Sequence, residues 1–200
     1  ALSLSVYCQK AGIECVCHVP ESTSEGKKQL MKAFGAKLKE YEAIYEEIFH
    51  HLQETELEGW NVTPGASNLS MKAYADIAEE ILEAGIEPDQ VIVPCGNGTN
   101  LAGIWQGFKS LGVEPKMVGG QIEGAAPIKQ AIQQQKKHGV VDNLGESVAE
   151  GIIASESFNC GEAVKAIQES NGSIQTVNEE EIKTGMKQLT KDGIICEPTS

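Results

Sequence analysis

Val91-Ile92-Val93-Pro94-Cys95-Gly96-Asn97-Gly98-Thr99-Asn100-Leu101-Ala102-Gly103-Ile104-Trp105 passes from an apolar strand through a glycine loop into a helix. Joints of this kind repeat in sheets of parallel strands, because each strand must cross to its neighbour through a helix. A phosphate dianion needs several N–H donors converging on it, and a helix N-terminus offers unpaired amides and a favourable dipole. Gly96 and Gly98 can adopt positive φ and let the backbone come close, while Asn97, Thr99 and Asn100 add side-chain donors and a helix cap. Two familiar phosphate motifs fail on the residues. No Gly-Lys-Ser/Thr ending follows the loop, and Leu101 stands where a dinucleotide fingerprint needs its third glycine. What remains is a small phosphorylated ligand or cofactor, or a tight strand-to-helix turn that binds nothing.

Outward from this joint, short β-branched runs alternate with longer helical ones. The alternation predicts an α/β protein of mostly parallel twisted sheets with helices on both faces. Upstream, Ala1 to Ala11 reads as a helix without an N-terminal cap, its apolar face formed by Leu2, Leu4, Val6, Tyr7 and Ala11. A strand follows at Ile13 to Val19, then a helix opened by a capping box, Ser22-x-x-Glu25, and running to about Phe34. Ala36 to Tyr41 is an edge or half-exposed strand, since Lys37 and Lys39 alternate with apolar residues, and Ala43 to Thr55 is a helix. Residues 1–59 therefore form part of a smaller α/β subdomain and residues 60–200 part of a larger one that carries the glycine loop. In the larger part, helices are expected at Lys72 to Glu83, Leu101 to Leu111, Pro127 to Lys136 and about Phe158 to Glu169. Strands are expected at Gln90 to Cys95, Lys116 to Glu123 and Ser173 to Val177, the last leading to a helix capped by Asn178 with Glu181 three residues on.

Composition narrows the function. Of 200 residues, 40% are hydrophobic and 22% charged, enough apolar material for a sizeable core. Twenty-nine acidic against sixteen basic residues leave a net charge of -13, which repels phosphate backbones and argues against a nucleic-acid partner. No apolar run reaches the roughly 20 residues of a membrane helix and no secretory signal opens the chain, so a cytoplasmic protein with no membrane partner is expected. The six cysteines are too scattered for a disulfide scaffold. Cys15-x-Cys17-His18 lacks zinc-knuckle spacing, and its thiols read as small hydrophobes in a buried strand. His50 and His51 lie on a helix with no third ligand at helical spacing, so no metal site is expected. The lysines, Lys10, Lys27 and Lys28 among them, read as solvated helix residues. The Asn-x-Ser/Thr sequons at Asn61, Asn68, Asn97 and Asn171 are chance occurrences in the absence of a secretion signal.

VIVPCGNGTNLAGIWQGFKSLG, followed by GGQIEGAAPI at Gly119 to Ile128, resembles the phosphate-binding region of the pyridoxal-phosphate enzymes of fold type II, and within them the threonine synthases. Three further stretches agree in order and spacing: ALSLSVYCQKAGIECVCHVPE at the start, SNGSIQTVNEEEI at Ser170 to Ile182, and DGIICEPTS at the end. The resemblance implies that Gly96, Asn97, Gly98, Thr99 and Asn100 hold the phosphate of pyridoxal phosphate and that Gly151 runs past the cofactor ring. It places Glu197-Pro198 near the active-site wall. It implies an amino-acid substrate and a lyase reaction, O-phosphohomoserine giving threonine and phosphate, in an enzyme whose relatives are often homodimers.

Two departures qualify this expectation. In the family the Schiff-base lysine and the Ser/Thr-Gly-Asn loop match positions before Ala1, and the partner of the pyridine nitrogen matches positions after Ser200. The chain therefore reads as a fragment without the catalytic nucleophile and is assigned no catalytic residue. Where threonine synthases commonly carry an Asn-Pro stretch and a Glu-Gly-x-Lys-Thr run, Thr63 to Lys72 reads TPGASNLSMK. Serine or threonine dehydratases, sulfur-transferring synthases and a non-catalytic domain that binds a phosphorylated metabolite stand as alternatives.

Overall fold

A computed structural model describes residues 1–142 and 144–200. These divide into two compact units, Ala1–Trp60 and Asn61–Ser200, each built on parallel strands.

In the first unit, α1 (Leu2–Ala11), β1 (Val16–Pro20), α2 (Glu25–Ala33), β2 (Lys37–Tyr41) and α3 (Tyr45–Glu54) follow in order. Strands β1 and β2 pair in parallel with Val16 opposite Lys37 and Pro20 opposite Tyr41. Alternation along β1 sends Cys17 and Val19 inward, where they pack with Cys15, Met31 and Ala36. The cysteines act here as small hydrophobes, as the sequence suggests: all six are unpaired, and burial pushes the Cys15 thiol up to about 11.

Three expectations fail in this unit. The capping box does not form, because α2 starts at Glu25 with Ser24 as its N-cap, so Glu25 stands too early to reach back. Its carboxylate instead lies 3.3 Å from Lys28. Lys28 is not solvated. Its side chain is buried and its Nζ donates to Glu40 at 2.7 Å and to the Glu21 carbonyl at 2.8 Å. The bond to Glu40 raises the ammonium pKa, and the same bond lowers that of the Glu40 carboxyl. In α1 the only buried residue is Ser5, while Leu2, Leu4 and Tyr7 are exposed. A small side chain is needed where the helix approaches the strand, and the Ser5 hydroxyl lies 3.7 Å from the Cys17 sulfur.

The second unit holds α4 (Leu69–Glu83), β3 (Gln90–Pro94), α5 (Thr99–Ser110), β4 (Lys116–Ile122), α6 (Pro127–Gln134), α7 (Cys160–Glu169), β5 (Ser173–Val177) and α8 (Glu179–Lys191). Its sheet has the order β3-β4-β5, all parallel, with Gln90 opposite Lys116 and Val118 opposite Ser173. Parallel strands put all three C-terminal ends, and the loops that leave them, on one edge. Leu101, Phe108, Met117 and Ile128 are wholly buried in a core shared by α5, β4, α6 and α7. Each such side chain contributes about 1.5–3 kcal/mol. Helix α4 lies directly on α5 because two glycines leave room: a Cβ on Gly103 would sit 2.4 Å from the Met71 carbonyl oxygen, and one on Gly107 would sit 2.3 Å from that of Ala75. The Asn178 cap forms as its sequence pattern predicts, accepting from the Glu180 and Glu181 amides, while the Glu181 carboxylate accepts from the Asn178 amide at 2.9 Å. No helix among the described residues is long and apolar enough to cross a membrane, and no group of His, Cys, Asp or Glu among them could hold a metal ion.

Candidate cofactor-binding site

The glycine loop leaves the edge strand β3 at Cys95, whose amide still pairs with the Gly120 carbonyl at 2.8 Å. The chain then turns through Gly96 and Asn97 and enters α5 with Gly98 as the N-cap at φ +78. That φ suits only glycine without strain, and the space is closed as well: a Cβ on Gly98 would lie 2.6 Å from the Ala163 Cβ and 3.0 Å from Ile128 Cδ1.

The N-cap position carries no side-chain cap, and the side-chain acceptor of the first turn is Asn100 Oδ1, which accepts from the Leu101 amide at 2.9 Å. Asn100 turns back, its Nδ2 donating to the Pro94 carbonyl at 2.7 Å, and so closes the turn across its own mouth. Thr99 is buried, and its Oγ1 accepts from Asn159 Nδ2 at 2.7 Å. With Gly98 as cap, no side-chain oxygen at that position takes up the first amides of the helix. Among the described residues no protein acceptor is bonded to the amides of Gly96, Asn97, Gly98, Thr99 or Asn100. Five consecutive free donors at the positive end of a 12-residue helix form an electropositive cradle whose floor cannot take a Cβ. Such a cradle suits a phosphate group.

The rest of the site comes from sequence far away. Gln121, a wholly buried residue of β4, donates from Nε2 to the Cys95 carbonyl at 3.3 Å while its Oε1 accepts from the Lys129 amide at 3.0 Å. Ser157 Oγ donates to the Asn97 carbonyl at 2.8 Å, and the Asn159 amide donates to the same oxygen at 3.2 Å. The backbone of Ile152 lies against Gly96, 3.1 Å from where a Cβ would stand, so the turn Glu150–Ile152 that contains Gly151 runs alongside the glycine loop. The Gly151 amide donates to Thr199 Oγ1 at 3.3 Å, which draws Glu197-Pro198-Thr199 to the same turn. The five loop residues, Gly151 and the C-terminal stretch are thus neighbours in space. Ser157 and Asn159 carry no motif and lie 60 residues from their partners, so no sequence signal marks them, while Gln121 lies inside the GGQIEGAAPI stretch without being singled out by it. Next to this edge a cleft of about 280 Å³ opens between the ends of β4 and β5, lined by Ile122, Glu123, Gly124, Ala125, Asn178 and Glu179. Glu179 accepts from the Ser147 hydroxyl and from the Val148 amide at 3.2 Å, bonds that lower its carboxyl pKa.

A parallel α/β sheet with a glycine loop and free amides at its carboxyl edge is an arrangement suited to a phosphate-bearing ligand. Residues 1–200 match the family of pyridoxal-phosphate dependent enzymes, and the chain belongs to that family. A threonine synthase of Methanocaldococcus jannaschii is 31% identical over 209 residues, covering 99% of this chain and 52% of that relative. The chain therefore spans about half the length of that curated relative. Among solved structures, maize serine racemase superposes with a TM-score of 0.85 at 18% identity, over all of this chain and 60% of that one. The processed form of threonine deaminase isoform 2 from Solanum lycopersicum superposes with a TM-score of 0.77 at 18% identity, over 99% of this chain and 57% of that one. These likenesses establish the fold type II architecture.

Proposed function

We propose that this chain forms the phosphate-holding part of a pyridoxal-phosphate dependent lyase of the threonine synthase kind, acting on an amino-acid substrate, with O-phosphohomoserine converted to threonine and phosphate. The observation that carries the reading is the row of five free amides at residues 96–100. They would hold the cofactor phosphate, Gly98 providing the close approach and the α5 dipole the positive potential. Gly151 and the turn around it would border the ring. Bound there, pyridoxal phosphate supplies an electron sink for a carbanion formed on the substrate. The chain's own contribution is to bind, orient and desolvate: its loop amides fix one end of the cofactor, and the packed helices α5 and α7 hold those amides in place.

A second reading, a serine or threonine dehydratase, is favoured by Thr63 to Lys72, whose TPGASNLSMK lacks the run common in threonine synthases. The fold serves both chemistries equally. We place the enzyme in the cytoplasm as a homodimer, its net charge of -13 being unsuited to a nucleic-acid partner.

The test is to express the protein in its natural reading frame and assay it with O-phosphohomoserine, threonine, serine and O-acetylserine, with gel filtration for the dimer. Phosphate release from O-phosphohomoserine supports the first reading. Turnover of threonine or serine beside inert phosphohomoserine replaces it with the second, and binding of pyridoxal phosphate with no turnover of any of the four points to a non-catalytic binding domain.

A further inference from the structure

Resting on the phosphate site just proposed, the geometry points to Asn159 and Ser157 as positioning residues that set the direction in which the glycine loop donates. Thr99 is where their effect meets the ligand. A threonine hydroxyl has one hydrogen to give and two lone pairs to receive with. One lone pair of Thr99 Oγ1 is filled by Asn159 Nδ2 at 2.7 Å, and no acceptor among the described residues takes its hydrogen. Thr99 is buried, at 4% exposure, so its rotamer is set by packing rather than by solvent. It is the first residue of α5 and stands among the free amides of the loop. The hydroxyl is thus left as a donor beside the amides of residues 98–100, available to an anion held there.

Ser157 acts on the other side of the loop. The Asn97 carbonyl receives two donors from one short segment, Ser157 Oγ at 2.8 Å and the Asn159 amide at 3.2 Å. Peptide planarity ties the Asn97 carbonyl to the Gly98 amide, which points the opposite way. Holding the carbonyl toward residues 157–159 therefore holds the Gly98 amide away from them. Ser157 is 1% exposed and its segment leads directly into α7, whose Ala163 closes the floor beneath Gly98. One segment thereby orients a backbone donor and a side-chain donor without touching the ligand. Prior orientation of this kind shows as affinity, because a loop already facing the anion loses less freedom on binding it.

The experiment uses the protein expressed in its natural reading frame, with pyridoxal phosphate and pyridoxal as paired probes. The ratio of their dissociation constants isolates the phosphate contribution from everything the ring does. Amide hydrogen exchange at residues 96–100 with and without pyridoxal phosphate checks the site itself: no protection there refutes the phosphate reading, whatever the variants do. With protection present, Asn159→Ala and Thr99→Val should each lower the pyridoxal phosphate to pyridoxal preference about tenfold, as expected for a hydrogen bond to a charged group. The double variant should lose no more than Thr99→Val alone, since the Asn159 side chain acts only through the Thr99 hydroxyl that Thr99→Val removes. Thr99→Ser, which keeps the hydroxyl, should restore the preference, and Ser157→Ala should lower it while pyridoxal binds as before. An unchanged preference in Asn159→Ala, or losses that multiply to about a hundredfold in the double variant, would overturn the assignment while leaving the phosphate site standing. Thermal melts separate these outcomes from unfolding, because a variant that only loosened α7 would lose both probes together.

Discussion

Replacing Gly98 by alanine tests backbone conformation and steric closure at once, and a second glycine separates the two. At φ +78 a residue with a Cβ costs about 1–2 kcal/mol relative to glycine. The added carbon would also stand 2.6 Å from the Ala163 Cβ, far inside the roughly 3.5–4.0 Å of carbon contact, and the overpacking adds about 1–3 kcal/mol. Gly112 has φ +76 and nothing within 4 Å of its would-be Cβ, so Gly112→Ala carries the conformational cost alone. Both variants gain the same few tenths to 1 kcal/mol from a stiffer unfolded chain, which cancels in the comparison. Gly98→Ala should therefore be less stable than Gly112→Ala by about 1–3 kcal/mol. Urea unfolding followed by tryptophan emission reads this through Trp105, which is buried at 3% exposure. At an m-value of about 1–3 kcal/mol/M the two midpoints should differ by on the order of 1 M. Pyridoxal phosphate affinity should fall in Gly98→Ala and stay unchanged in Gly112→Ala. Equal midpoints with equal affinities would refute both the closed floor and the placing of the phosphate above it.

Further outcomes follow from other contacts. Lys28→Met should flatten the acid side of the stability profile of the first unit. The folded Glu40 pKa is lowered below its ordinary 4.5, so its contribution is present above that value and lost as pH falls through the folded pKa; Lys28 is raised above 10.5, so its share is lost only as pH climbs through its own. An unchanged acid limb in the variant would show that the pair does not govern it. Cys95, wholly buried with its thiol pushed up to about 12, should resist iodoacetamide in the native protein, while the partly exposed Cys8 and Cys196 alkylate first; mass spectrometry showing early modification of Cys95 would contradict its burial. Gly103→Ala and Gly107→Ala should each destabilise the second unit by about 1–3 kcal/mol by lifting α4 off α5, and a neutral effect in urea melts would deny that contact. Borohydride reduction with pyridoxal phosphate should leave Lys28 unmodified, because its ammonium is held charged by Glu40; a stable adduct there would overturn that reading.

Periodicity and turn chemistry carried most of the fold. Ser173–Val177 and the Asn178 cap are legible to the residue because both signals are local, and the strand-loop-helix joint at 91–105 is legible because glycine and β-branched residues punctuate it. Local signals fail where tertiary contacts decide. The pattern Ser22-x-x-Glu25 is valid as a cap, yet burial of Lys28 against Glu40 accompanies a start at Glu25. Leu2, Leu4 and Tyr7 form an apolar stripe on paper, yet the contact with β1 selects Ser5. At the site, the glycine loop announces itself through residues required at contiguous positions. Ser157 and Asn159 do not, because a side chain that supports a loop from 60 residues away obeys no spacing rule; Gln121 sits within a recognisable stretch, but its bond to the Cys95 carbonyl 26 residues back is set by the pairing of β3 with β4 rather than by that pattern.

Those 60-residue separations also order events in time. The loop can be synthesised and can turn, but its Asn97 carbonyl and Thr99 hydroxyl find their partners only after residues 157–159 exist and α7 has docked. Closing a contact of that length is slow compared with forming the helix that starts at Thr99. Capture of a phosphate at the proposed site therefore waits on the docking of α7, and a chain halted on the ribosome before residue 157 should release pyridoxal phosphate faster than one extended beyond α7.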